Sequence, residues 1–530
     1  MFTMKFGRHP ESGTGTFDRG PDAVLLKAMR FAAIVLSLLL TLLLSGCIAL
    51  GPDYRRPEAA VEPNWLEIED PLITSESPAD PKWWETAFQD PDLDQLVETV
   101  LQQNLTLRSA GLRVLQSQQQ LAIAIGNQFP QQQQLSGSAS RQKSGGTTFE
   151  DYSLGFNVGW EVDFWGRFRR QVESASAELD ASVADYDGAL VSVVSQVAQN
   201  YILIRTFQDR LKVSRENIKL QEESLRVARA KFDAGDRSEL DVNQAESLLN
   251  NTRASVSSLE ISLQQFKNAL AILLGKPPHD LNYLLGEKRG IPSAPADIAL
   301  GMPQDLIRRR PDILAAERQL AAQSAEIGFA VTELYPHFAI GGSVGTSAMN
   351  TGDLFENESE TWSLFGLFEW NIFNYGRLRS NVRLQDALFQ QLLVDYRNTV
   401  LQAQGDVENA IVAYLKSHEQ LAAYKLAADA SQRAVDVATI QYQEGAVDFN
   451  TLITTLSANV QQQDLLSSTR GSVADNLVQV YRALGGGWEI REERDPVDFL
   501  PSAMKEEMLQ RTKAWEGVLN SEKNSLEEKE

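Results

Sequence analysis

From Asp151 to Phe164 the chain reads DYSLGFNVGWEVDF; every even position from Tyr152 to Phe164 is apolar, while Asp, Ser, Gly, Asn and Glu fill the odd ones. A period of two describes a strand with one apolar and one polar face. Alternation this long outruns the five or six residues of an ordinary strand. It fits a strand of ~9–11 residues or more that crosses a bilayer in a barrel, with aromatics towards one end. An amphipathic strand in a soluble sandwich is the competing reading. Beyond residue 47 no run of 18 apolar residues occurs. A bilayer crossing by this part of the chain must therefore use strands closed into a barrel.

Three less regular segments accompany it. Trp362, Leu364, Phe368, Trp370 and Ile372 keep the even-position rule, as do Phe338, Ile340 and Val344 against odd-position Ser343 and Ser347. Residues 131–141 are polar, rich in Gln and Ser, and the weakest of the set. The order predicts two hairpins, 131–141 with 152–164 and 337–348 with 361–373, joined by Gly- and Asn-containing loops. Four strands cannot close a barrel, since the smallest transmembrane barrels have about eight. An unclosed set leaves backbone edges bare in lipid. If these strands span a membrane, several copies of the chain must share one barrel.

The remainder reads as helix, and it is duplicated. WEVDFWGRFRR at 160–170 returns as WNIFNYGRLRS at 370–380, so Trp160, Gly166 and Arg167 match Trp370, Gly376 and Arg377. Each copy reads as a strand end, then Gly-Arg, then a long helix. From Gly166 to about Phe232 there is no proline, and Phe168, Val172, Ala175, Leu179, Val183 and Tyr186 open an apolar stripe with three- and four-residue spacing. Such a helix extends about 100 Å, and its copy spans 377–444. Shorter helices are predicted at 93–128, 240–274, 312–334 and 449–484. Two of these laid end to end beside a long one would make a wall of even length. Gly235 and Gly445 occupy equivalent places after the long helices, where a left-handed residue is needed. Ser238 and Asp448 follow them as candidate N-caps. A unit of this size excludes a helical-repeat solenoid, whose repeats run about 20–50 residues.

The formal charge of −22 argues against nucleic acid, which requires a basic face. The single cysteine, Cys47, permits no intrachain disulfide. Its context is informative: Met29-Arg30 precede an apolar run from Phe31 to Leu44, which ends in Leu-Ser-Gly-Cys. That is the order of an export signal, and it is too short for a membrane-spanning helix of ~20 residues. It resembles the bacterial lipobox, in which the chain is cut between Gly46 and Cys47 and the cysteine receives lipid. Residues 1–28 are polar, unlike a signal's opening, so translation is expected to begin at Met29.

GPDYRRP (51–57), LLGKPP (273–278), RRRPDILAAERQLAAQSAEIGFAVTELYP (308–336) and the repeated Trp…Gly-Arg corners together resemble the outer-membrane efflux proteins of the TolC superfamily. The closest branch is the lipoprotein one that includes OprM. The resemblance covers about residues 48 to 490. It implies an α+β membrane protein: a homotrimer whose four strands per chain form a shared transmembrane β-barrel. An internally duplicated α-helical barrel would extend into the periplasm, with a mixed equatorial belt around it. Cys47 would carry the covalent lipid in the outer membrane of a Gram-negative bacterium, with no other cofactor. A periplasmic adaptor and an inner-membrane transporter of the RND type would be the partners, and the duct would pass small molecules outward. A type I protein-secretion duct, a metal-ion efflux channel and a poreless structural lipoprotein are the alternatives.

On this reading the chain divides into an upstream stretch at 1–28, a signal at 29–46 and an anchored segment with belt at 47–92. A first repeat at 93–276, a linker at 277–302, a second repeat at 303–487 and a charged, mobile tail at 488–530 follow. Trp160 and Trp370 belong at the membrane–water boundary. The arginines beyond them sit in a first helical turn, against the helix dipole, and are expected to find carboxylates or headgroups. The turns at 231–241 and 441–451 would lie at the closed periplasmic end, where the resemblance implies rings of carboxylates. Asp448 is the leading gate candidate, with Asp241, Asp233 and Asp236 behind it and Tyr442 tightening the constriction. Symmetry copies of one aspartate near an axis repel each other and favour cations. Capping alone is the competing role for Asp448. GGSVG at 341–345 satisfies a nucleophile-elbow pattern but sits in an alternating strand, so no enzyme is expected. No histidine pair has metal-ligand spacing.

Overall fold

The computed structural model describes residues 49–74, 80–278, 281, 285, 290–295, 297–492 and 494–519. Gly46 and Cys47 lie outside them. Helices α1 (Trp83–Phe88), α2 (Pro91–Gln103) and α3 (Leu105–Gly126) lead to strands β1 (Gln132–Ser144) and β2 (Thr147–Glu161), then α4 (Arg167–Asp233) and α5 (Glu239–Leu273). The second half runs α6 (Leu306–Arg309), α7 (Pro311–Thr332), β3 (His337–Ala348), β4 (Glu360–Glu369), α8 (Arg377–Gln443) and α9 (Phe449–Ala483), and α10 (Ser502–Arg511) follows. The long helices α4 and α8 both have 67 residues, and α5 and α9 both have 35. No helix among the described residues is long and apolar enough to cross a membrane.

These four strands form an antiparallel sheet in the order β1-β2-β3-β4, so β1 and β4 are both unpaired edges, and a separate two-residue parallel pair joins Ile73–Thr74 to Ile298–Ala299. Register places Leu135, Phe156, Val344 and Trp362 side by side on one face, with Phe338 beside Phe368. The other face carries Ser153, Asn157, Ser343 and Ser363. There Ser138 meets the Ser153 hydroxyl at 2.8 Å, and Ser343 meets Ser363 at the same distance. Phe365 and Leu367 depart from the pattern, being in register with Gly341 and Ala339 on the polar face. The Phe365 ring fills the space that a Cβ on Gly341 would need.

The helices make a strip of alternating long and paired short columns. α3 and α5 flank α4 on one side, α7 and α9 flank it on the other, and α8 packs on the far side of α7 and α9. This strip also has two free sides. One is α8, with Val394, Leu401, Leu426 and Ile440 exposed; the other carries exposed Ile123, Leu240, Ile261 and Ile272. The main core lies around the middle of the long helices, where Trp83, Leu93, Leu96, Tyr201, Ile204, Tyr414 and Leu477 are buried together. Trp83 stacks on Tyr481 there at 4.7 Å. A second core at the far turns gathers Leu225, Ala228, Leu249, Val435, Tyr442, Phe449 and Leu452.

Two expectations need correction. The helix predicted over 93–128 breaks at Asn104, an extended residue whose Oδ1 accepts from Leu107 N at 3.0 Å and whose Nδ2 donates to Leu273 O at 2.8 Å. Asn104 thus caps α3 and pins the break to the end of α5. The stretch after Gly487, expected to be mobile, packs back as far as residue 519: Val497, Leu500, Met508 and Leu519 are buried in the main core. Its few apolar residues are too widely spaced to give a periodic signal.

Candidate functional site: the two corners and the far turns

At each corner a glycine turns the chain from strand into helix. Gly166 and Gly376 have φ of 81° and 83°, conformations open to a residue without Cβ. Trp160 and Trp370 share a task as well. The first donates its indole N–H to Gln128 O at 3.2 Å, the second to Leu334 O at 3.0 Å. Each tryptophan thus ties a strand end to a carbonyl two residues past the helix that feeds its hairpin.

The corners differ in their side-chain partners. At the first, the Asp163 carboxylate accepts from the N–H groups of Phe168 and Arg169 at 3.2 and 3.1 Å. It supplies the cap that Gly166 cannot. Arg167 pairs with Glu161 at 3.1 Å and Glu333 at 2.9 Å, and Arg169 pairs with Asp163 at 3.1 Å. These carboxylates offset the unfavourable dipole of the first turn. Glu161 also faces His337 Nδ1 at 3.0 Å. At the second corner, Phe373 and Tyr375 stand at the positions equivalent to Asp163 and Trp165, and both are exposed, as are Arg377 and Arg379.

At the far end, Gly235 and Gly445 end α4 and α8 with φ of 74° and 77°. The next N–H in each case returns to a carbonyl five residues back, Asp236 N to Lys231 O and Ala446 N to Gln441 O. Asp448 caps α9: its carboxylate accepts from Thr451 N at 2.8 Å and the Thr451 hydroxyl at 2.6 Å. These two donors hold the exposed carboxyl below its ordinary pKa. Ser238, at the equivalent place on α5, makes no side-chain capping bond.

Tyr442 is expected to line the constriction beside the aspartates, but it is 1% exposed, inside the far core. Its ring meets Phe449 at 5.3 Å, with Lys231 and Arg237 from the other turn over it at 5.3 and 5.9 Å. Burial, then the nearby Asp241, push its phenol up. Asp236 lies 3.7 Å from Lys231 and 3.9 Å from Arg237. Asp241 is half-buried, and Asp233 is exposed. The two turns are therefore joined through an aromatic ring and two cations that the reading of carboxylates passed over. Their signal was legible, since Lys231 and Arg237 bracket the first turn in KFDAGDR.

The remaining motifs have structural places. Ser343 of GGSVG lies within β3, with no strand-to-helix elbow. Arg309 pairs with Glu489 at 3.0 Å, and Arg310 with Asp312 at 2.8 Å. Arg491 reaches back from the C-terminal segment to buried Asp187 on α4 at 2.8 and 3.0 Å.

A family model described as outer membrane efflux protein matches residues 96–276 and 302–486, which hold the sheet and the duplicated helices. The chain belongs to that family. It is similar to nodulation protein T of Rhizobium leguminosarum bv. trifolii, at 33% identity over 442 residues, 82% of this chain and 91% of that one. It is also similar to the probable outer membrane lipoprotein SilC of Salmonella typhimurium, at 28% identity over 86% of this chain and 99% of that protein. Among solved structures, the outer-membrane channel OprN superposes with a TM-score of 0.79 at 31% identity, covering 83% of this chain and 100% of that one. The protein is thus an outer-membrane efflux channel of the TolC superfamily. Its family consists of efflux proteins rather than known enzymes.

Proposed function

We propose that three copies of this chain close a twelve-stranded barrel in the outer membrane and a helical barrel beneath it. The assembly is the passive exit duct of a tripartite efflux pump. The observation that carries this reading is the sheet with two bare edges, set on a helical strip with two exposed apolar sides. A lone copy would leave unpaired backbone in lipid, and joining β4 of one chain to β1 of the next removes every edge at once. Lipid on Cys47 fixes the duct in the membrane, a reading favoured by the lipobox and by the lipoprotein name of a relative. A periplasmic adaptor and an inner-membrane transporter supply the energy. The polar face of the sheet carries serines, glycines, glutamines and Asn157, with Asp151, Glu161, Phe365 and Leu367 among them; so mixed a lining suits many solutes, and cargo choice falls to the transporter.

The gate reading places Asp448 on the axis of the closed end. The test is single-channel recording in planar bilayers of wild type, Asp448→Asn and Asp448→Ala. Asparagine keeps the cap and removes the charge. Reduced cation selectivity in both variants supports a gate; unchanged conductance and selectivity leave Asp448 as a cap only. Absence of any channel from correctly folded protein refutes the duct.

A further inference from the structure

The first corner holds something that the second does not. Residues 49–57 lie along α4 and α7, held by a chain of specific contacts. Leu50 N donates to Trp165 O at 2.9 Å, and Arg170, 3% exposed, donates to Leu50 O at 3.0 Å and to Gly51 O at 3.4 Å. The same guanidinium reaches Asp53 at 2.9 Å and Glu173 at 2.7 Å. Gly51 packs backbone to backbone on Gly328, where a Cβ on Gly328 would fall 3.0 Å from Leu50 O. Ala49 fills the space above Gly166, whose Cβ would come within 2.8 Å of the Ala49 Cα. Further along, Tyr54 donates to buried Glu317 at 3.2 Å, and Arg56 pairs with it at 3.1 Å. In the second repeat the position of Arg170 is the exposed Ser380, and a Cβ added on Gly376 would meet nothing within 4 Å beyond its own helix and chain neighbours. Arg170 departs from the repeat, and the carbonyls of Leu50 and Gly51 and the carboxylate of Asp53 in this N-terminal segment are among its partners.

Beside the clamp runs a row of rings. Phe164 meets Trp165 at 4.7 Å and Phe338 at 5.8 Å; Phe338 meets Phe368 at 5.5 Å, and Trp165 meets Tyr335 at 5.0 Å. Phe164, Phe338 and Phe368 are 39%, 36% and 62% exposed. Only Ile48 separates Ala49 from Cys47, a two-residue step that reaches at most about 7 Å.

We propose that the acyl chains carried by Cys47 dock on the row Phe164–Phe338–Phe368 of their own chain, with Arg170 and Gly328 as the clamp that delivers them there. The anchor is then a fixed part of the barrel's outer wall at the first corner rather than a loose tether. This rests on the reading that Cys47 is the acylated N-terminus. The probe is p-benzoylphenylalanine placed at position 338, irradiated in the full-length channel in phospholipid vesicles, with the tryptic peptide 47–55 followed by mass spectrometry. The expected result is that acylated peptide linked to residue 338. The same probe at position 152 in β2, twelve residues before Phe164 and at most about 40 Å away, captures phospholipid only. Arg170→Ala lowers the yield at 338 several-fold, and Asp53→Asn gives a smaller loss in a variant that keeps the buried guanidinium. An acylated peptide that is never linked, with phospholipid adducts at both positions, overturns the docking alone. An unmodified Cys47 overturns the lipidation on which it stands.

Discussion

Gly345→Ala offers a sharp test of the sheet, because the seam between the two hairpins runs through it. Gly345 on β3 is paired with Gly155 on β2. A Cβ built on Gly345 would lie 2.6 Å from the Gly155 Cα and press on the Leu154 carbonyl oxygen. Both obstacles are backbone, so no rotamer change relieves them. Even a weak C–H···O contact needs about 3.3 Å, so the strands must part by something on the order of 1 Å. Weakening the two nearest ladder bonds costs about 1 kcal/mol each, and overpacking adds at least about 1 kcal/mol. The total is about 3 kcal/mol. Gly366 in β4 is the control, since a Cβ there meets nothing within 4 Å, and its alanine variant should stay within about 0.5 kcal/mol of wild type. Thermal melting in detergent, followed by the strand signal in far-ultraviolet circular dichroism, separates the two. Gly345→Ala should melt well below wild type and Gly366→Ala with it. Equal melting of all three would refute the register and the close approach inferred from it.

Arg491→Ala strands the buried carboxylate of Asp187, raised by burial and lowered by Arg491. The expected loss is about 3 kcal/mol, measured by denaturant unfolding, and a neutral result would mean that the C-terminal segment does not pack on α4. Asp448, whose carboxyl is depressed, contributes its capping above the ordinary carboxylate range and loses it as pH falls through the depressed value. Protection from hydrogen exchange at the first turn of α9, taken relative to the intrinsic rate at each pH, should therefore fall in acid for wild type but not for Asp448→Asn; identical profiles argue against the charged cap. Tyr442→Phe removes a buried hydroxyl that has no hydrogen-bond partner and should leave stability unchanged or raise it by about 1 kcal/mol. A clear loss would reveal a partner for that hydroxyl in the assembled protein.

What was legible in the sequence was what is local. The alternation around Tyr152–Trp160 and the stripe that opens at Phe168 each declare one face within a few residues, so strands and long helices could be placed. The four glycines at 166, 235, 376 and 445 marked where the chain changes direction. What escaped is non-local. Arg170 is explained by a carbonyl 120 residues away, and Arg491 finds Asp187 at a separation of 304. No periodicity reports such pairs. The break at Asn104 was different: Asn before a helical run is a local cap signal, hidden by apolar residues that continued on both sides. At the far turns, the repeat drew notice to the shared cap positions and away from Lys231 and Arg237, which have no repeat counterparts.

Every functional statement returns to the two bare edges of the sheet, β1 and β4. Native mass spectrometry of the full-length channel, released from detergent under gentle activation, weighs the assembly directly. Three chains per particle, with the monomer appearing only after unfolding, is the predicted result. A stably folded single chain as the sole species would contradict the shared barrel and, with it, the exit duct.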